Sequence, residues 1–537
     1  MVSTRSFNLA DLFEGSVDAI GDRLALITGG SEVVTRRWTY AELDERANRM
    51  ANHLASLGVG AGDRVGVHLF NSADFIETMM AIFKLRAVMV NANYRYVSEE
   101  LRYVFDDAGV VVVVTEADLA ERVHEAEPHL PELHTVISRG VDYDGRLARS
   151  SPERPDVGPR SGDDLYLLYT GGTTGMPKGV MWRHEDLFFG ALGGAGSPGG
   201  GVMPLERADD IGAWAATGTP VVRRFSLCPL IHGGAQWTSL TAMLTGGTSL
   251  LSTDRHLDAG AALRFAADER AELLVVIGDA IARPLAAGLA RGSELYDLSS
   301  MKMIMSSGAI LSPAVKAELQ EMLPQVKIVD RFGASETGSQ GRIKPGRPGS
   351  PPQLIADEKT CVLDDAFQPI APGSDAVGKL ARRGWIPLGY WNDADKTAAT
   401  FPTIDGVRWS VPGDMATVDP DGVISVLGRG SMVINTGGEK VFPEEVEKAV
   451  KSHPAIFDSI VVGVPDERFG RRVAAVVQLR EGEHGAPSVD ELHDHCLHHI
   501  AGYKCPRDIV VADRLHRTVM GKADYRWATE LATNATS

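Results

Sequence analysis

Strand-length apolar runs alternate with helix-period segments along most of this chain, and that alternation restricts its fold more than any other feature. "RVGVHLF" (64–70) reads as a strand, and "SADFIETMMAIFKLRA" (72–87) reads as a helix with Ser72 as its N-cap. "VVVVVT" (110–115), "ELLVVIG" (272–278) and "KMIMSSG" (302–308) read as further buried strands. Strands alternating with helices bury their apolar faces as layers, helices against sheet, so the reading is α/β with mainly parallel sheets. At 537 residues the chain exceeds what one core ordinarily serves, which predicts two or more domains.

The pattern changes after about Arg408. A two-strand pattern turns at "DPDG" (419–422) and ends with "GVISVLGR" (422–429). The helix "FPEEVEKAVKSHP", the strands "DSIVVGVP" and "RVAAVVQLR", and the helix "SVDELHDHCLHHIA" then make a compact α+β module. The boundary is placed near Arg429–Met432, giving a large domain over 1–429 and a small one over 430–537. "GVMPLERADDIGAWAATGTP" (201–220) follows a Gly- and Ala-rich run and is expected to be a mobile surface insertion.

A formal charge of −17 without a long basic stripe argues against nucleic acid as a partner. Four cysteines, none in a C-x-x-C pair, fit a reducing cytoplasm better than a disulfide framework. The N-terminal stretch lacks a basic-then-apolar signal pattern, and the longest apolar runs are strand length, so no membrane span is expected.

The stretch "YTGGTTGMPKGV" (169–180) lies between two apolar runs. It is not the phosphate loop G-x-x-x-x-G-K-[ST], because Lys178 arrives late and Pro177 removes an N–H where a helix would start. Its glycines still let the backbone approach an anion, Thr173 and Thr174 supply hydroxyls, and Lys178 adds a positive charge. A flexible hairpin turn is the competing reading of this loop alone. "DRFGASETGSQ" (330–340), "WSVPGDMATVDPDGVISVLGRG" (409–430), "INTGGEKVFPEEVE" (434–447) and "HRTVMGKADYRW" (516–527) follow it in order.

Taken together, these stretches resemble the core motifs of the adenylate-forming superfamily: acyl-CoA synthetases, adenylation domains and luciferases. The resemblance covers nearly the whole chain. Through "LLYTGGTTGMPKGVMWRHED", "IGDAIARPL" and "LGRGSMVINTGGEKVFPEEVE" it is nearer to bacterial, actinobacterial-type acid–CoA ligases of the fatty-acid and steroid-side-chain kind. It implies α/β subdomains plus a distorted barrel in the large domain and a small mobile C-terminal domain. The implied substrates are a carboxylic acid, ATP and CoA, with Mg²⁺ as cofactor; a homodimer is compatible with it.

Site roles follow from the resemblance, position by position. Thr170, Gly171, Gly172, Thr173, Thr174, Gly175 and Lys178 would hold the ATP phosphates, with Thr174 counted among the catalytic residues. Ser307, Gly308 and Ala309 would form the adenine slot with the ring of Phe332 on the base, and Asp330, Arg331 and Gly333 belong to the same nucleotide site. Ser335 would meet the α-phosphate, and Glu336 would reach Mg²⁺, a hard cation that takes oxygen ligands. Asp414 would accept the ribose hydroxyls with help from Arg429. His232, Gly233, Gly234 and Trp237 would line the acyl pocket, where the small residues beside His232 leave room, and His232 is also counted among the catalytic residues with Glu336. Lys522 matches the catalytic lysine, acting electrostatically as a carboxylate attacks the α-phosphorus and expels pyrophosphate. The small domain would then turn about Gly430 and Ser431, replacing Lys522 with the face carrying Gly437, Gly438, Glu439 and Lys440 for attack by the thiol.

Three positions depart from the family pattern: Gly171 in place of a serine, Phe332 in place of a tyrosine, and Ser431 in place of an Asp or Lys at the hinge. Outside the motifs, Asp279 is read as the cap of the following helix and the arginine pairs at 223–224, 382–383 and 471–472 as solvated surface. His495 and His499 lie one turn apart and could share a metal, though a solvated face is the simpler reading. Two other functions compete with an acid–CoA ligase: an acyl-AMP ligase that loads a carrier protein, and a non-catalytic nucleotide-binding regulator.

Overall fold

Three sheets carry the architecture of the computed structural model, which describes residues 5–31, 33–140, 143–170, 176–196, 204–217, 222–308, 311, 313–344, 353–374, 376–429, 434–441, 443–480, 485–516 and 524–536. A seven-stranded sheet runs from Gly389–Tyr390 through Lys178–Arg183, Leu165–Thr170, Val88–Asn91 and Arg64–His68 to Val110–Glu116 and Thr135–Arg139. Its last five strands are parallel, and only the hairpin Leu165–Thr170/Lys178–Arg183 and the short edge strand run antiparallel. The helix Ala73–Lys84 crosses between two of these strands, and Ser72 caps it by accepting from the Phe75 N–H at 3.2 Å.

A fifteen-stranded sheet has two halves. Leu24–Gly29, Thr248–Ser252, Arg223–Ser226, Leu273–Val276, Met303–Ser306 and Lys327–Ala334 form a parallel block in that spatial order. From Lys327–Ala334 onward the sheet continues as an antiparallel arm through Gly338–Lys344, Gln353–Ala356, Ile424–Arg429, Asp414–Val418 and Gly378–Arg383. Strands of the parallel block carry apolar residues on both faces, as helices on either side require. One face joins an apolar cluster with Phe13, Ile76 and Leu240, and the other joins a cluster with Leu263, Leu285 and Val315.

The sheet changes between Arg429 and Ile434. Ile424–Arg429 still pairs in the large sheet, whereas Ile434–Thr436 pairs with Glu439–Val441 and Gly470–Leu479 in a separate five-stranded sheet. Pro443–Lys451 and Val489–Leu497 pack on this sheet, the latter capped reciprocally by Ser488 and Glu491. Gly430 and Ser431 lie outside the described residues.

Two expectations are corrected here. The described part of 201–220 is not a mobile insertion: Leu205, Ala208, Ile211, Trp214 and Ala215 are buried. The short helix Ile211–Thr217 lies on the helix Leu9–Ile20, where a Cβ on Gly15 would run into Ile211, and Trp214 meets Phe188 edge-on at 6.2 Å. Ile211, Trp214 and Ala215 stand at i, i+3 and i+4, so one face is apolar and must be covered. Asp279, in turn, is not at the cap position of its helix; Gly278–Ala290 starts two residues earlier than such a cap would give, with Ile277 at the N-cap.

Candidate active site

The glycine- and threonine-rich loop is the turn of the hairpin in the seven-stranded sheet. Thr170 ends one strand, Lys178 begins the next, and the register pairs them. Gly171, Gly172, Thr173, Thr174 and Gly175 lie outside the described residues. The Lys178 ammonium donates to the Asp393 carboxylate and stands 5.8 Å from the Tyr390 ring.

The stretch "GASETGS" forms a second hairpin facing the first. Lys327–Ala334 runs antiparallel to Gly338–Lys344 with a bulge at Phe332 and Gly333, leaving Ser335, Glu336 and Thr337 at the turn. The Trp182 indole N–H donates to the Ser335 carbonyl at 2.9 Å, and the Ser410 hydroxyl donates to the Glu336 carbonyl at 2.6 Å. The Tyr390 hydroxyl donates to the Glu336 carboxylate at 3.1 Å. Tyr390 thus bridges the neighbourhoods of Lys178 and Glu336. Sequence reasoning missed Tyr390 and Asp393; their only signal is the polar, aromatic stretch "GYWND" (389–393), which carries no period.

Around these hairpins stand the other nucleotide-site candidates. Asp414 is buried and directly opposite Arg429 in the antiparallel register. Phe332 is half-buried against the cluster of Leu354, Val362 and Leu380. Asp330 accepts from the Lys316 ammonium at 2.6 Å. Arg331 sits opposite Arg342, and desolvation of its guanidinium together with that like charge lowers its pKa. Ser307 and Gly308 follow the end of Met303–Ser306, with the Ser307 N–H donating to the Val276 carbonyl at 3.2 Å. Ala309 and Lys522 lie outside the described residues.

His232 is the N-cap residue of the helix Gly233–Leu244, whose first turn was expected to leave room. Only Gly234 does so: a Cβ there would find nothing within 4 Å, whereas one on Gly233 would come within 2.6 Å of Leu168 and Ala235 is fully buried. Successive helical residues point about 100° apart, so three neighbours cannot share one opening. Trp237, half-buried one turn on, meets Trp182 edge-on at 6.1 Å.

The small domain reaches His232 through the Glu439 carboxylate. Gly437 and Gly438 both take positive φ (57° and 88°), which lets the turn fold tightly and brings Gly438 against Ile277. Glu439 follows, ion-paired with Arg95 and 3.3 Å from His232 Nε2. Burial by itself would raise the Glu439 carboxyl, but the charge and hydrogen bond of His232, then Arg95 and Lys504, override it and hold it at about 2. Lys504 donates to Glu100 at 2.7 Å, a second buried link between the two domains. Lys440 is exposed.

With this geometry established, comparison with known proteins places the chain. The AMP-binding enzyme profile matches residues 13–391, and the AMP-binding enzyme C-terminal domain matches residues 445–522. The chain belongs to the AMP-binding enzyme family. This AMP-binding enzyme is 44% identical to a 3-oxocholest-4-en-26-oate–CoA ligase of Rhodococcus rhodochrous, over 98% of this chain and 96% of that one. It is 44% identical to a medium/long-chain-fatty-acid–CoA/3-oxocholest-4-en-26-oate–CoA ligase of Mycobacterium tuberculosis H37Rv, with the same coverage. It is 41% identical to the medium-chain acyl-CoA ligase Mig of Mycobacterium avium, over 99% of each chain. Among solved structures, its fold is similar to that of o-succinylbenzoate CoA synthetase from Bacillus subtilis bound to a product analogue (TM-score 0.79, 23% identity, 97% and 98% covered).

Features outside the motifs resolve differently. His495 Nε2 lies 2.8 Å from the Ser452 hydroxyl and His499 Nδ1 lies 3.3 Å from Glu99. Among the described residues no group of three or more His, Cys, Asp or Glu could hold a metal. The solvated-surface reading of the arginine pairs fails at two positions. Arg382 is buried and pairs with Asp357 at 2.9 Å. Arg224 is half-buried, its Nε shut off from solvent without a hydrogen-bond partner. Among the described residues no helix is long and apolar enough to cross a membrane.

Proposed function

We propose that this AMP-binding enzyme is an ATP-dependent acid–CoA ligase. It would activate a carboxylic acid to acyl-AMP and transfer the acyl group to CoA, releasing pyrophosphate and AMP. The observation that carries this reading is identity of 41–44% over at least 98% of the chain to relatives named as CoA ligases of fatty and steroid acids.

The residues fit the chemistry. Asp414, buried and opposite Arg429, is a carboxylate placed to accept hydroxyl donors such as those of a ribose. Glu336 offers an oxygen ligand of the kind Mg²⁺ takes, and the ion would supply charge neutralisation on the phosphates. Tyr390 orients that carboxylate, and Lys178 gives the loop its cation. Lys522 would stabilise charge during acyl-AMP formation. The contact of Glu439 with His232 supports a thioester-forming arrangement in which the "NTGGEK" face would replace Lys522. Docking of this kind also favours CoA over a carrier protein as acceptor, because the described 204–217 segment packs against the Leu9–Ile20 helix rather than between the domains.

For the acid, the relatives' substrates and the open space at Gly234 favour a medium or long fatty acid or a steroid side-chain acid. Four cysteines without a disulfide agree with a cytoplasmic location. The test is AMP release with CoA across acetate, hexanoate, decanoate, palmitate and a C₂₄-type steroid acid. Thioester formation rising with chain length or ring bulk supports the reading. Pyrophosphate exchange without any thioester would favour the carrier-loading alternative, and no exchange with any acid would favour the non-catalytic regulator.

A further inference from the structure

Resting on the ligase reading above, we propose that Arg224 is the distal specificity residue of the acyl site, positioned to bind an oxygen acceptor at the far end of the acid. The register puts Arg224, Leu273 and Met303 in one cross-strand row, and Ser226, Val275 and Met305 in the next row on the same face. Leu273, Val275, Met303 and Met305 share an apolar cluster with Ala235 and Leu240 of the helix that His232 caps. The alternate residues Phe225, Leu274 and Ile304 pack in a separate cluster on the opposite face. Arg224 therefore projects toward the His232 helix.

Met303 and Met305 remain half-buried although they sit in the interior of a sheet, so this face of the sheet is not fully covered at that level. Four residues separate Met303, level with Arg224, from Ser307 at the nucleotide end, which is roughly 13 Å at strand rise. That span suits an acid of about ten to twelve chain atoms at the same extended spacing.

Arg224 lacks a partner where it needs one. Its Nε is buried without a hydrogen bond. Glu272, the acid beside it, already accepts from the Arg223 N–H at 3.1 Å and pairs with Lys302. Burial and then the like charge of Arg331 push the Arg224 guanidinium down to about 10. Arg224 is half-buried, with its Nε shut off from water and its other N–H donors open, and a buried donor is costly until an acceptor completes it. An alkyl tail ending here leaves those donors unpaired; a carboxylate or ketone oxygen pairs them, and a fork of two N–H groups suits either.

The experiment compares wild type and Arg224→Met for AMP release with CoA on dodecanoate, dodecanedioate and a 3-oxo-4-ene steroid acid, with calorimetric binding of each acid in parallel. Wild type should prefer the oxygen-terminated acids at least tenfold in kcat/KM. Arg224→Met should lose that preference while its efficiency with dodecanoate rises. A gain confined to dodecanedioate identifies an anionic acceptor, and a gain for the steroid acid identifies a neutral carbonyl; both support the assignment. An identical preference in wild type and variant overturns it. If wild type activates no acid, the ligase reading falls and the binding data decide this one: tighter dodecanedioate binding lost in Arg224→Met upholds it, and equal binding overturns it. If Arg224→Met does not fold, Arg224→Lys carries the test, because a point charge without the fork should lower the preference severalfold, and an unchanged preference overturns the proposal.

Discussion

Replacing Glu439 by glutamine should separate the two half-reactions. The substitution keeps size and removes charge, leaving His232 and Arg95 facing a neutral amide across the domain contact. The Glu439 carboxyl is held at about 2 against an ordinary 4.5, a difference worth about 3 kcal/mol at ~1.36 kcal/mol per unit. That energy acts on the docked arrangement of the small domain, and a loss of about 3 kcal/mol corresponds to roughly 100-fold in population. Thioester formation from supplied acyl-AMP and CoA should fall by about that factor, while ATP–pyrophosphate exchange stays near wild type or rises. The depressed pKa also sets a sign: the carboxylate's contribution is lost as pH falls through about 2, and His232 adds its share only while its imidazole is charged. Equal losses in both half-reactions, or a thioester step that does not change, would refute the argument that this carboxylate holds the thioester-forming arrangement.

Three further outcomes are expected. Lys522→Ala should lose acyl-AMP formation by orders of magnitude while thioester formation from supplied acyl-AMP survives, as comparison of pyrophosphate exchange with single-turnover thioester assays would reveal. Gly234→Leu should cut kcat/KM for palmitate and steroid acids far more than for hexanoate, because its side chain enters the open space beside His232; a uniform loss across acids would place the pocket elsewhere. Trp214→Ala should lower stability by about 3 kcal/mol, read from denaturant midpoints, because it removes a buried ring from the contact with Phe188; a change within ~0.5 kcal/mol would restore the mobile-insertion reading of this segment.

The sequence by itself determined the elements and the motif positions. Ser72 capping Ala73–Lys84, the strand at Val110–Glu116 and the turn at "DPDG" were legible because capping, apolar runs and turn chemistry act within a few residues. The pairing of Asp414 with Arg429 lies in the same class, since one hairpin sets its register. Tertiary structure alone decided which distant groups meet. Asp393 reaches Lys178 from 215 residues away, Tyr390 reaches Glu336, and Arg95 reaches Glu439 across 344 residues. The burial of Trp214 and the buried, unpartnered Nε of Arg224 were hidden in the same way, one inside a glycine-rich stretch and the other in a pair of arginines that reads as surface. Such contacts have no sequence period, because they arise from how separately folded layers dock, and a charged side chain gives no local sign of whether water or a cleft surrounds it.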